Sequence, residues 1–427
     1  FRPLLTRLKL SGPILMIILW IATMIWVWWQ GETYTVNGYK PLATVTNRWL
    51  FTAVLIIIGI TWITWKISQR LKQLEKRQQE DKKNFNSPIK ENIDAQRHYL
   101  DRWLLKLQRY LDTTKYHHAL PWYLLLGLPN SGKSSLLREN GGFSELYKDD
   151  DDESINRVEF SIFNNEKAVV IMPSGNLVLQ NIEIEGKPRL YTKLWKNLLD
   201  WIAEQRGRQP LNGVVLCVDI YQLLTLNKEA RDLYLSTLQQ RLRDVADVVS
   251  ADLPIYVVLT KLDRLYGFQT MYRKLTKEQM ESVLGTTFSG KGDLWTQELK
   301  AFWQTWCQQM NDAMPDMMLN DVMPEQRSQI FSFIRQISGA YEDVAAFLAD
   351  LLNTGSKSMV FFKGVYLTSA LQNGKIDNLF TQSASEQYHL SHQTYPTWAV
   401  KVSQTYFCSK LFENTLFAYP NLARESS

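Results

Sequence analysis

The stretch WYLLLGLPNSGKSSLL, residues 122–137, confines this chain more than any other. It places an apolar run of strand length before a loop reading G-x-x-x-x-G-K-S, and a helix start after it. A phosphate-binding loop needs that context. Backbone N–H groups across 128–134 would converge on one concavity and hold phosphate oxygens. Gly127 and Gly132 permit a backbone path that side chains would obstruct. Asn130, Ser131 and Ser135 complete the loop's candidate contacts. Lys133 would reach the terminal phosphates, and the Ser134 hydroxyl would ligate Mg²⁺.

The residues downstream extend this into a doubly wound α/β layout. NRVEFSIF (156–163) and KAVVIM (167–172) read as a strand hairpin. In GTPase-like proteins the second such strand ends in D-x-x-G, where Asp helps hold the Mg²⁺ shell and the Gly amide senses the γ-phosphate. Here the residues are MPSG, so Met172 stands at the Asp position before Gly175. A thioether is a poor ligand for a hard, oxygen-seeking cation. LNGVVLCVDI (211–220) reads as a buried strand ending at Asp219, a second candidate for the metal. LPIYVVLTKLDRL (253–265) ends in T-K-x-D, making Lys261 and Asp263 candidates for reading guanine. The strand in FFKGVYLTSALQNGK (361–375) ends at Thr368-Ser369-Ala370, and Ser369 would back the base. The ligand implied is GTP or ATP with Mg²⁺, and the residues leave open whether the loop holds one. The region 270–355 reads as amphipathic helix, with Phe302, Trp303 and Trp306 as packing residues.

Two uncharged runs precede this body, at 11–29 and 49–65. Each approaches the roughly 20 apolar residues that cross a bilayer, and tryptophans at their ends suit the headgroup region. Lys and Arg crowd before the first run and after the second, while the connection 30–48 holds only Lys40 and Arg48. The positive-inside rule places both ends of this expected hairpin in the cytoplasm. Residues 66–86 are highly charged, and their basic side chains could touch lipid headgroups. The acidic run YKDDDDES (147–154) reads as a solvated loop. A net charge of +5 over 427 residues gives no reason to expect nucleic acid. Cys217, Cys307 and Cys408 lack metal-ligand spacing and read as free thiols. A chain beginning at Phe1 is expected to be part of something longer.

The order of these features resembles the IcmF/TssM proteins of bacterial type IVB and type VI secretion systems. The resemblance is carried by the paired apolar runs, LPWYLLLGLPNSGKSSLL, RGRQPLNGVVLCV (206–218), VVLTKLDRLYGF (257–268), KGVYLTSALQNG (363–374) and YFCSKLFENTLFAYPNLA (406–423). It implies an inner-membrane component with a cytoplasmic main domain. Its implied partners are a smaller membrane protein (IcmH/DotU, or TssL in type VI systems), other secretion-complex subunits and membrane lipid. A third span and a large periplasmic region would follow this chain. Type VI members commonly carry D-T-A-G-R where this chain has MPSGN, which favours the type IVB branch and puts Mg²⁺-dependent hydrolysis in doubt. An active GTP- or ATP-hydrolysing switch is the rival expectation. The expected division is a membrane hairpin (1–68), a helical linker (69–118), a GTPase-like domain (119–270), a helical subdomain (271–360), the last strand of the GTPase-like domain (361–375) and a helical tail (376–427).

Overall fold

In a computed structural model the described residues are 12–30, 44–62 apart from 58, 64, 68, 89–111, 116–146 apart from 141, 159–249 apart from 183, 185, 186 and 208, 252–290, 294–320, 323–352, 360–370, 373–376, 398–401 and 404–418. The chain divides into two units, Phe1–Ser87 and Pro88–Ser427.

The first unit contains a 19-residue uncharged helix, Gly12–Gln30. A second helix, Val45–Trp62, is long and apolar enough to cross a membrane. It begins earlier than the expected 49. The Trp20 indole donates to the Leu55 carbonyl at 3.2 Å, and Trp28 meets Trp49 edge-on at 5.3 Å. Most of the 30–48 connection, the charged segment 66–86 apart from residue 68 and the acidic run 147–154 lie outside the described residues.

The second unit is mixed α/β and is built on one seven-stranded sheet in the order β2-β3-β1-β4-β5-β7-β6. The strands are β1 (Trp122–Leu126), β2 (Phe160–Asn164), β3 (Val169–Pro173), β4 (Gly213–Asp219), β5 (Leu253–Thr260), β6 (Leu284–Thr287) and β7 (Val360–Leu367). β3, β1, β4, β5 and β7 run parallel; β2 and β6 are antiparallel edges. β1, β4 and β5 are buried along their whole length. Both faces of a parallel sheet are covered, so such strands read as continuous apolar runs.

Side chains alternate across the pleat. Trp122, Leu124 and Leu126 enter a large core with the helices Leu190–Arg206, Lys228–Val249, Leu294–Asn320 and Pro324–Leu352. Tyr123 and Leu125 enter a smaller core on the other face, with Leu136, Leu137, Cys408, Leu411, Phe412 and Leu416. Trp303 and Trp306 are packing residues as expected: the Trp303 indole donates to the Ile337 carbonyl at 2.8 Å.

Three features depart from the sequence expectation. Residues 284–287 form a strand, because Leu284–Thr287 pair along the open edge of β7. The described part of the tail has a two-stranded ladder (Asn373–Ile376 with Trp398–Lys401) and a one-turn helix, Leu411–Asn414. Tyr406 and Phe407 join the large core, and residues 408–417 lie along the smaller one, where the Tyr123 hydroxyl donates to the Leu416 carbonyl at 2.9 Å. Finally, the helix Lys90–Leu111 belongs to the folded body. Tyr99, Leu100, Trp103 and Leu107 recur at helical spacing and are buried, and Trp103 meets Trp122 edge-on at 5.6 Å. Polar contacts fix its register. Asn197 accepts from Arg97 Nε at 2.8 Å and donates to Gln96 at 2.6 Å.

Trp103→Ala removes a large side chain from this core and is expected to cost about 3–5 kcal/mol. Chemical denaturation of the full chain followed by tryptophan fluorescence checks this. An unchanged midpoint would contradict the packing of residues 90–111 on this core.

Candidate functional site at the C-terminal ends of the parallel strands

β1 ends at Leu126, and the loop 127–132 carries the chain into the helix Lys133–Glu139. Two residues turn the loop through left-handed backbone, Asn130 at φ 61° and Gly132 at φ 85°. Asn tolerates that region better than most side chains, and Gly adopts it freely. Gly127 is needed for a different reason. A Cβ there would lie 2.9 Å from the Cys217 carbonyl oxygen on β4, closer than real contacts allow.

The loop is held to the sheet by Thr260. Its hydroxyl donates to the Ser131 carbonyl at 2.7 Å, so the end of β5 fixes the middle of the loop. Lys133 is buried, and its ammonium turns inward. It donates to the Gly127 carbonyl, and at 3.1 Å to that of Leu128. Burial pulls this ammonium down to about 8. Ser135 sits half-buried on the first turn of the helix.

Ser134 faces the replacement identified in the sequence. Its hydroxyl lies 3.9 Å from the Met172 thioether sulfur. Met172 therefore stands opposite the hydroxyl that a divalent cation would use. Gly175 of the same MPSG segment packs on the loop, since a Cβ there would lie 2.5 Å from Pro129 Cα and N. Ser174 locks this segment. It caps the helix Gly175–Leu179 by accepting from Leu177 N, and its hydroxyl donates to Glu159 Oε2 at 2.6 Å. Its own N–H donates to the Glu159 carbonyl at 2.8 Å.

On the other side, Asp263 and Ser369 meet. The Ser369 hydroxyl donates to Asp263 Oδ1 at 2.6 Å, and both side chains are buried. Burial pushes the Asp263 carboxyl up to about 6, opposed by that hydrogen bond and by Arg264. Lys261, at φ 62°, directs its ammonium to Asp219 Oδ2 at 2.9 Å. The other Asp219 oxygen caps the helix Ile220–Thr225 through Gln222 N. The Asp219 carboxylate is thus engaged by Lys261 and a helix cap.

The fold gathers Gly127, Asn130, Ser131, Gly132, Lys133, Ser134 and Ser135 at one end of β1, and Lys261, Asp263 and Ser369 at the neighbouring ends of β5 and β7. The sequence reading assigned no role to Thr260, Glu159, Ser174 or Tyr406. Tyr406 exchanges backbone hydrogen bonds with Ser369 at 2.8 and 3.0 Å. Thr260 had a visible signal, as the first residue of T-K-x-D. Glu159 had none, because its partner lies across the strand hairpin.

The family model for the IcmF-related N-terminal domain matches residues 191–427, more than half of the chain. The chain belongs to the IcmF-related family. The matched region runs from the helix Leu190–Arg206 through β4, β5 and β7 to the tail, so it includes Lys261, Asp263 and Ser369. This IcmF-related chain is also 24% identical over 314 residues to the type VI secretion system component TssM1 of Pseudomonas aeruginosa. That alignment covers 70% of the chain and 28% of TssM1, so the chain spans under a third of that relative.

A stability test follows from Asp263. Its carboxyl rises from an ordinary 3.8 to about 6. Between those values the folded chain binds this proton more tightly than the unfolded chain does. The group's contribution to stability is fully present below 3.8 and is lost as pH rises through about 6. Asp263→Asn, which keeps an acceptor for Ser369, carries no such dependence. Its urea midpoint relative to the parent is expected to rise from pH 4 to pH 7; a constant difference would contradict the burial of this carboxylate.

Proposed function

We propose that this chain is the membrane-anchored, cytoplasmic portion of a bacterial secretion-system component, with a GTPase-like domain that holds a nucleotide as a structural ligand without turning it over. The observation that carries the second half is the Ser134 hydroxyl facing the Met172 sulfur at 3.9 Å. Hydrolysis in phosphate-loop enzymes relies on Mg²⁺ bridging the β- and γ-oxygens. A hydroxyl opposite a thioether, with Asp219 engaged by Lys261, is a poor donor set for that ion.

The holding function rests on the loop itself. Lys133 is a buried cation whose partners are carbonyls of its own loop, and a phosphate would complement it more strongly. On this reading the Asp263–Ser369 pair would face the base, and a carboxylate acceptor suits guanine. The strand order, with an antiparallel β2 and the loop after β1, supports the GTPase-like, doubly wound assignment. Were Mg²⁺ bound, it would polarise phosphate oxygens and offset their charge; Ser134 is the residue of this chain positioned to ligate it.

The anchoring role draws on family membership and on the TssM1 relative. It draws also on the helix Val45–Trp62, whose Trp49, Leu50, Val54, Ile57 and Ile60 are more than half exposed. Such a surface is costly in water and suits lipid. With Gly12–Gln30 it would form an inner-membrane hairpin whose ends lie in the cytoplasm. Partners on this reading are a smaller IcmH/DotU- or TssL-like membrane protein and other subunits of an envelope-spanning complex.

The test is phosphate release from GTP and from ATP with Mg²⁺ by the full chain in detergent, beside Lys133→Ala. The expected result is equal background for both proteins. Turnover in the parent that Lys133→Ala abolishes would establish the switch reading instead.

A further inference from the structure

The surroundings of the loop narrow the ligand, on the reading that the loop holds a nucleotide. We infer that the site takes a nucleoside diphosphate, and takes it without a divalent cation.

Three features lead there. The first is the side where a third phosphate would lie. In the GTPase-like layout the glycine of D-x-x-G meets the γ-phosphate, and here that glycine is Gly175. Its backbone is packed against Pro129, with a hypothetical Cβ only 2.5 Å from Pro129 Cα and N. The third loop position and the MPSG segment are therefore in direct contact on this side. Pro129 also has no N–H to offer a phosphate oxygen.

The second feature is that this closure is braced. Glu159 takes both the hydroxyl and the N–H of Ser174, at 2.6 and 2.8 Å. Just beyond, Leu177 and Val178 are fully buried in the large core. Opening the segment for a third phosphate would break both hydrogen bonds and pull on that anchor. Glu159 also brings a negative charge to the side where the added phosphate would place more.

The third feature is the donor set for a metal. Met172 sulfur stands opposite the Ser134 hydroxyl. Asp219 is held by Lys261 and the cap of the next helix, Asp263 by Ser369, and Glu159 by Ser174. Among the described residues no cluster of three His, Cys, Asp or Glu side chains could hold an ion. A diphosphate carries less charge than a triphosphate. Lys133 and the loop amides can offset much of it without a cation.

The experiment is calorimetric titration of the full chain in detergent with GDP, ADP, GTP and ATP, each in Mg²⁺ and in EDTA. The expected result is a diphosphate bound at least about tenfold more tightly than its triphosphate. Replacing Mg²⁺ by EDTA is expected to leave the diphosphate affinity unchanged or to raise it, because Mg²⁺ competes for the free nucleotide. Loss of diphosphate binding in Lys133→Ala places the ligand at the loop; retained binding in that variant overturns the inference. Tighter triphosphate binding, or binding that requires Mg²⁺, overturns the inference while leaving the nucleotide-holding reading intact. Binding of none of the four removes both.

Discussion

A buried ammonium is the constraint on which this site depends. Lys133 lies at the bottom of the loop, out of water, and a cation there must be met by oxygen. The oxygens it meets are the Gly127 and Leu128 carbonyls, at the start of a loop that passes through left-handed backbone at Asn130 and Gly132. Thr260 then fastens the Ser131 carbonyl to the end of β5. That strand continues directly into Lys261 and Asp263. Thr260 thus links the loop after β1 to the residues that follow β5.

The opposite margin sets a thioether beside the Ser134 hydroxyl. In an enzyme of this layout the second strand of the hairpin would supply a carboxylate toward Ser134. Here it supplies a thioether, and the following residues close on the loop through Gly175 and Pro129. Asp219 sits at the end of the adjacent strand, yet its two oxygens serve a helix cap and Lys261. Polar groups that could serve chemistry are instead paired with one another. Satisfied buried pairs of this kind favour a rigid, single arrangement over a switching one.

Much of this was legible in the sequence, for identifiable reasons. β1, β4 and β5 are buried on both faces, so they stand out as apolar runs, and the loop between Gly127 and Ser134 follows from residue type and spacing. Met172 was legible at the Asp position of D-x-x-G from the motif, while its contact with Ser134 came from the structure. β6 was hidden because Leu284–Thr287 has one strongly apolar residue and is a strand only by virtue of the β7 edge. The helix Lys90–Leu111 was read as part of a helical linker, although Tyr99, Trp103 and Leu107 carried the helical period of a packed face. The Asp219–Lys261 and Glu159–Ser174 pairs join residues from different strands and loops. Neither pairing has a local signature; each is decided by strand register.

The claim that a thioether has displaced the metal seat is tested most directly with Mn²⁺, a paramagnetic stand-in for Mg²⁺. The measurement is the electron paramagnetic resonance spectrum of the full chain with GDP and Mn²⁺, beside Met172→Asp. The account predicts a protein-bound Mn²⁺ signal in Met172→Asp and only the free-nucleotide complex in the parent. A protein-bound signal of equal strength in the parent would contradict it.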